Sequence, residues 1–211
     1  LKRYNVKLSL RLGFFLILSV MLSGCPFDSD DVVIEDGGLA EFAASGLYEM
    51  QSGGETREFY LQLPGDYEGL ETLQASALGD DTRPPLLIAF HGYTGSLDNW
   101  IGEEAYYDLA ETVGDGAIMV FPNALPNANG DRAWNTLSDP AFFLDLLAYL
   151  DSRALQYNPN KILIAGHSNG AGMVHELVCR FGDIIRAATP VSGNLTSTDC
   201  VGSAAIMMTQ G

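Results

Sequence analysis

Basic residues are scarce in this chain. Eleven Lys and Arg stand against 27 Asp and Glu in 211 residues, a formal net charge of −16. Four of the eleven (Lys2, Arg3, Lys7, Arg11) fall in the first 24 residues, which hold no acid, so the remainder carries −20. A surface this acidic is repelled by phosphate backbones, which argues against nucleic acid as a partner. Its plain consequence is solubility. Histidine is scarcer still: His91, His167 and His175 are the whole supply. Neither they nor the scattered acids have ligand-like spacing, so no metal is expected. No Gly-rich phosphate loop is present, and no cofactor is expected either. Internal repeats are absent. Long apolar runs are absent too, apart from residues 12–22, about eleven residues and too short to span a bilayer comfortably.

That run belongs to a processing signal. A basic stretch precedes it, and it ends at Leu22-Ser23-Gly24-Cys25. The pattern resembles the bacterial lipobox, in which the cysteine becomes the first mature residue and carries lipid. The expectation is a signal over residues 1–24, an acidic tether over 25–38 attached to the membrane through lipidated Cys25, and a domain over 39–211. The protein is then exported and held at the cell envelope, or extracellular. The chain begins with Leu rather than Met, which reads either as an alternative start codon translated literally or as a missing start. With Cys25 lipidated, Cys179 and Cys200 remain as a pair. In an oxidising compartment they are expected to form a disulfide.

At 47% hydrophobic residues the remainder suits one globular domain with a sizeable core. Residues 57–63 alternate and end at Pro64-Gly65, which predicts a strand and a turn. Residues 68–85 lack clear periodicity. Continuous apolar runs at 86–90, 117–121 and 162–165 predict buried parallel strands, with further strands at 187–191 and 205–208. Helices are predicted at 98–112, at 140–155 with Asp139 as N-cap and Pro140 in the first turn, and at 171–181. Residues 125–138 form a polar loop. Strands alternating with helices give an α/β fold with a mostly parallel sheet flanked by helices.

The chemistry lies in Gly166-His167-Ser168-Asn169-Gly170. G-x-S-x-G between a buried strand and a helix is the pattern of a nucleophile elbow, where glycines permit a turn that lifts the serine above the sheet. Ser168 is the candidate nucleophile. An unassisted hydroxyl is a poor one, so a histidine must take its proton, oriented by a carboxylate. No histidine present fits. His175 lies seven residues into the helix, about 10 Å along its axis. His167 adjoins the serine, where neighbouring side chains diverge. His91 follows the wrong strand and reads as structural. Asp199 is a lesser candidate for the acid. The expectation is that the triad acid and base are not in this chain, which would be truncated before them.

Several ordered motifs agree. Residues 86–92 (LLIAFHG), 120–123 (VFPN), 133–135 (AWN), 158–170 (NPNKILIAGHSNG) and 187–193 (AATPVSG) resemble the polyhydroxybutyrate depolymerase and feruloyl or acetyl-xylan esterase group of α/β-hydrolases. The resemblance covers residues 55–211. It implies an α/β-hydrolase fold with the final strand and helix units missing, and cleavage of carboxylic esters through an acyl-enzyme on Ser168. It implies oxyanion-hole N–H groups from Tyr93, with Thr94 as fallback, and from Asn169. Partners would be polyester, feruloyl or acetylated polysaccharide esters. Trp134 and Asn135 either contact substrate or hold their loop against the domain. Tyr93 and Trp100 either wall the site or pack in the core. The competing expectation is a catalytically inactive envelope lipoprotein that binds polysaccharide or polymer.

Overall fold

The computed structural model describes Phe42 and residues 44–65, 67, 82–101, 109, 113–194, 197 and 200–210. The expected signal (1–24), the tether (25–38) and Cys25 lie outside the described residues, as does Asp199. Among the described residues, no helix is long and apolar enough to cross a membrane.

Seven strands form one sheet: β1 (Gly46–Ser52), β2 (Glu55–Gln62), β3 (Leu86–Phe90), β4 (Ile118–Pro122), β5 (Ile162–His167), β6 (Ala187–Val191) and β7 (Ala205–Ile206). Their order is β1-β2-β4-β3-β5-β6-β7. The β1–β2 and β2–β4 pairs are antiparallel and the remaining four are parallel. Two helices are described, α1 (Asp139–Ser152) and α2 (Asn169–Phe181).

The central strands are apolar throughout because both their faces are covered. On one face Leu86, Ile88 and Phe90 of β3 and Ile118 and Val120 of β4 meet Phe142, Phe143, Leu146 and Leu150 of α1 and Met173, Val174 and Leu177 of α2. On the other, Leu87, Ala89, Met119 and Phe121 pack with Leu97 and Trp100. Trp100 is therefore a core residue. At the edges the strands are solvated on one side, and the pattern reverts to alternation: Arg57, Phe59 and Leu61 of β2 point inward.

Three readings of the sequence are corrected. Strand β1 was not expected. It joins β2 through Gly53-Gly54, both at positive φ (61° and 85°), a conformation that costs glycine nothing and suits a two-residue hairpin. The helix expected at 98–112 begins instead as a 3₁₀ turn, Leu97–Asn99, and most of its remainder lies outside the described residues. Asp139 does not cap α1. The N-cap is Ser138, which makes no side-chain bond. The Asp139 carboxylate is taken by tertiary partners: Oδ1 accepts from Arg57 Nη1 at 2.9 Å and Oδ2 from the Asn135 backbone N–H at 2.7 Å.

Arg57 and Asp139 are a buried ion pair linking β2 to the start of α1. The guanidinium lies 3.9 Å from the Phe142 ring centroid and 5.8 Å from that of Trp134. Aromatic faces thus surround the two guanidinium nitrogens that have no hydrogen-bond partner. At the far edge, Cys179 at the end of α2 is bonded to Cys200, closing a loop of sequence separation 21.

Removing one partner of a buried pair leaves an uncompensated charge. Asp139→Ala is expected to lower the unfolding free energy by about 3–5 kcal/mol, measured by urea denaturation. Arg57→Met combined with Asp139→Leu should fall much closer to wild type, because that pair leaves no charge behind.

Candidate active site

Ser168 occupies the corner between β5 and α2 with φ 54° and ψ −113°, a conformation rarely adopted by a residue with a side chain. Its N–H donates to Val191 O at 2.9 Å, and its carbonyl accepts from Gly172 N at 3.1 Å. These bonds hold the corner from both sides. The two glycines follow from close approach. A Cβ at Gly166 would lie 2.6 Å from Gly170 C and 2.9 Å from Val174 Cγ2. A Cβ at Gly170 would lie 2.5 Å from His91 O and closer still to Phe90 O. The start of α2 therefore rests directly on the end of β3.

Strain gathers at this one end of the sheet. Besides Ser168 here and Ala154 (φ 56°) after α1, Thr94 (φ 61°) and Ser192 (φ 53°) hold positive φ without being glycine. They follow β3 and β6, the two strands flanking β5. Small residues let the three loops converge. A Cβ on Gly92 would sit 3.6 Å from Ser168 Cβ, and one on Gly193 would sit 3.0 Å from Ser168 O. Ser168 is exposed, and its hydroxyl makes no hydrogen bond among the described residues.

The expected N–H groups are distributed as follows. The Thr94 N–H donates to Arg132 O at 2.9 Å, which removes the fallback donor. The Tyr93 N–H has no partner among the described residues. The Tyr93 ring is half-exposed and its hydroxyl donates to Asp131 Oδ2 at 2.6 Å, so it is not core packing. Asn169 opens α2, so its N–H lacks an intrahelical acceptor and lies at the positive end of the helix dipole.

The Asn169 side chain has a task that sequence reasoning missed. Its Oδ1 accepts from Trp134 N at 2.7 Å, and its Nδ2 donates to Trp134 O at 3.2 Å. Trp134 itself is buried at 3% exposure, its Nε1 donating to His91 O at 2.9 Å and its ring edge-on to Phe90 at 5.0 Å. Burial removes Trp134 as a substrate contact and leaves it as the residue that holds the loop. Asn135 is exposed, but its Oδ1 is turned back to accept from Leu137 N at 3.0 Å. Its side chain shapes the loop as well.

His91 is fully buried with both ring nitrogens engaged. Nδ1 donates to Gly92 O at 2.7 Å and Nε2 accepts from Ala124 N at 3.0 Å. That pattern requires the neutral ring, and burial lowers its pKa to about 4. His175 is buried on α2, its pKa lowered by burial against a bond to the Gly193 backbone that partly offsets the shift. Its neighbour Glu176 is also buried. Burial would raise that carboxyl's pKa, but hydrogen bonds from Ser197 and Arg180 outweigh it and hold the pKa below the usual value. No group of three or more possible metal ligands occurs among the described residues.

No protein-family profile matches the chain. Among curated relatives, a feruloyl esterase B of Piromyces equi is 31% identical over 126 residues, 57% of this chain and 23% of that protein. A feruloyl esterase B of Talaromyces funiculosus is 24% identical over 119 residues, 53% of this chain and 33% of that protein. The chain thus spans a third or less of the length of these relatives. Among solved structures, a ferulic acid esterase superposes with a TM-score of 0.53 at 20% identity, over 71% of this chain and 61% of that one. At this identity the likeness is one of fold, and the fold is that of the α/β-hydrolases.

The buried neutral His91 makes stability depend on pH. Its folded pKa is depressed, so below its ordinary 6.5 the unfolded chain takes up the proton first. The resulting stability is present above pH 6.5 and falls away toward pH 4, by about 3 kcal/mol. Urea unfolding at pH 7 and pH 4 should therefore show a larger loss in wild type than in His91→Gln. Equal losses would mean that His91 titrates normally.

Proposed function

We propose that the protein is a serine carboxylic-ester hydrolase acting on feruloyl, acetyl-polysaccharide or polyester substrates. The observation that carries this reading is Ser168, held exposed at a strained turn whose two flanking glycines admit no side chain. The sequence likeness to two feruloyl esterases supports the ester class.

In this reading Ser168 Oγ attacks the ester carbonyl carbon while its proton passes to a base. The C=O π pair moves to oxygen, and the Tyr93 and Asn169 N–H groups stabilise that oxyanion. Collapse expels the alcohol, which takes the proton from the base. Water, deprotonated by the same base, then attacks the acyl-enzyme carbonyl, and collapse releases the acid as Ser168 Oγ leaves and takes the proton back from the base.

The base is none of the three histidines. His91 is buried with both ring nitrogens bonded, His175 is buried on α2, and His167 is the residue before Ser168 in the turn. The reading therefore needs a histidine, and a carboxylate to orient it, that the described residues do not supply. It also includes export, with lipid attachment at Cys25 holding the enzyme at the cell envelope. The lack of a base among these histidines is the one observation that favours the second reading, an inactive envelope lipoprotein that binds polysaccharide.

The full-length protein should hydrolyse a short p-nitrophenyl ester, and Ser168→Ala should lower kcat by about a thousandfold or more. Turnover unchanged in that variant would remove Ser168 as nucleophile. No turnover and no labelling of Ser168 by a fluorophosphonate, together with retention on acetylated xylan, would establish the second reading.

A further inference from the structure

The proposed oxyanion donors stand on different loops, Tyr93 after β3 and Asn169 after β5. Two N–H groups stabilise one oxygen only if their separation is held to within tenths of an ångström. A short segment of the polar loop reaches both sides of that gap through Arg132 and Trp134. Arg132 O accepts from Thr94 N at 2.9 Å, immediately after Tyr93. Trp134 Nε1 donates to His91 O at 2.9 Å, two residues before Tyr93. The Trp134 backbone N–H and carbonyl are both bonded to the Asn169 amide, at 2.7 and 3.2 Å. A fifth bond, from Tyr93 Oη to Asp131 Oδ2, ties the same loop to the Tyr93 side chain.

The loop segment is anchored from behind. Its Asn135 N–H donates to Asp139, whose other oxygen is paired with buried Arg57. The Trp134 ring is packed edge-on to Phe90 and parallel to Phe142 at 6.3 Å. Such packing fixes the indole N–H in direction as well as position.

We infer that Trp134, with its two bonds to the Asn169 side chain, is a positioning residue that sets the spacing of the two oxyanion donors. The inference rests on the proposed serine-hydrolase reading and assigns to the Asn169 side chain a role separate from its backbone N–H. Trp134 touches neither substrate nor reacting atoms. It acts through His91-Gly92-Tyr93 on one side and Asn169 on the other. The geometry needs an amide at position 169, because only an amide offers a donor and an acceptor on one planar group to a single residue's backbone.

The test uses the full-length protein and four variants. Trp134→Phe keeps the ring and removes the indole N–H. Asn169→Asp keeps the acceptor for Trp134 N and sets an oxygen against Trp134 O. Asn169→Ala removes both bonds. Ser168→Ala reports on the underlying reading. Displacing a donor by a fraction of an ångström should lower kcat by between about tenfold and a hundredfold, with KM within about twofold of wild type. The expected order of kcat is wild type, then Asn169→Asp, then Asn169→Ala, with Trp134→Phe also reduced. Phosphonylation of Ser168 by a fluorophosphonate should slow by the same factors, since its oxyanion uses the same donors.

Assays at 10 °C, well below each variant's Tm, separate positioning from folding. Full recovery of kcat there would show a merely structural role and overturn the inference. So would wild-type kcat in Asn169→Ala while Ser168→Ala is inactive. If Ser168→Ala keeps wild-type turnover, the serine-hydrolase reading fails first, and the inference falls with it.

Discussion

The backbone of α2 lies against the end of β3 with no room for a side chain between them. At Gly170 even a methyl group would overlap the carbonyl oxygens of Phe90 and His91. That approach sets much else. It brings the first turn of a helix, with its unpaired N–H groups, beside the loop that follows a neighbouring strand. It forces the chain between β5 and α2 into a turn too sharp for a negative φ, so Ser168 carries the strain. Two backbone bonds compensate, from Ser168 N to Val191 O of β6 and from Gly172 N of α2 to Ser168 O. Packing of Met173, Val174 and Leu177 into the core holds α2 in place against this strain. Burying such side chains contributes roughly 1.5–3 kcal/mol each, comparable to the cost of about 1–3 kcal/mol for one strained residue.

The parts legible in the sequence are those written in one-dimensional patterns. Strands β3 and β4 are buried on both faces and show as apolar runs, and α1 shows as apolar residues at helical spacing after a Pro in its first turn. The G-x-S-x-G corner is legible because close approach selects glycine at two fixed positions. Strand β1 leaves little trace in the sequence because only Met50 of GLYEMQS is fully buried, and an edge strand with a solvated face has little pattern to give. The Gly53-Gly54 pair was the available signal.

The contacts that shape the candidate site were not legible, for a different reason. Asn169 meets Trp134 across 35 residues, and Arg57 meets Asp139 across 82. Neither pair leaves a periodic trace, since each joins a loop or a helix end to something remote. Asp139 before Pro140 has the local chemistry of a cap, and local chemistry alone assigns it so. What competes is a tertiary partner. Arg57 shares an inward-facing parity with Phe59 and Leu61. A guanidinium on the core face of a strand demands an acid nearby, as an unpaired buried charge is too costly to leave.

The polar loop over the site is therefore a built part of the domain on its inner side and free on its outer side. Inward, Trp134, Arg132 and Asn135 satisfy the backbone groups of β3's loop and of α1. His91 is held neutral so that its Nε2 can accept from Ala124 N. A charged imidazole there would turn that acceptor into a second donor facing an N–H. The loop's inner bonds are buried or half-buried, where a hydrogen bond is stronger than in water. Outward, the same loop presents Leu137, 81% exposed. Substitutions at Leu137 leave the bonds among Trp134, His91 and Asn169 untouched. The loop thus separates two tasks in one short segment: its buried face fixes the geometry around Ser168, and its exposed face is where side chains can change without disturbing that geometry.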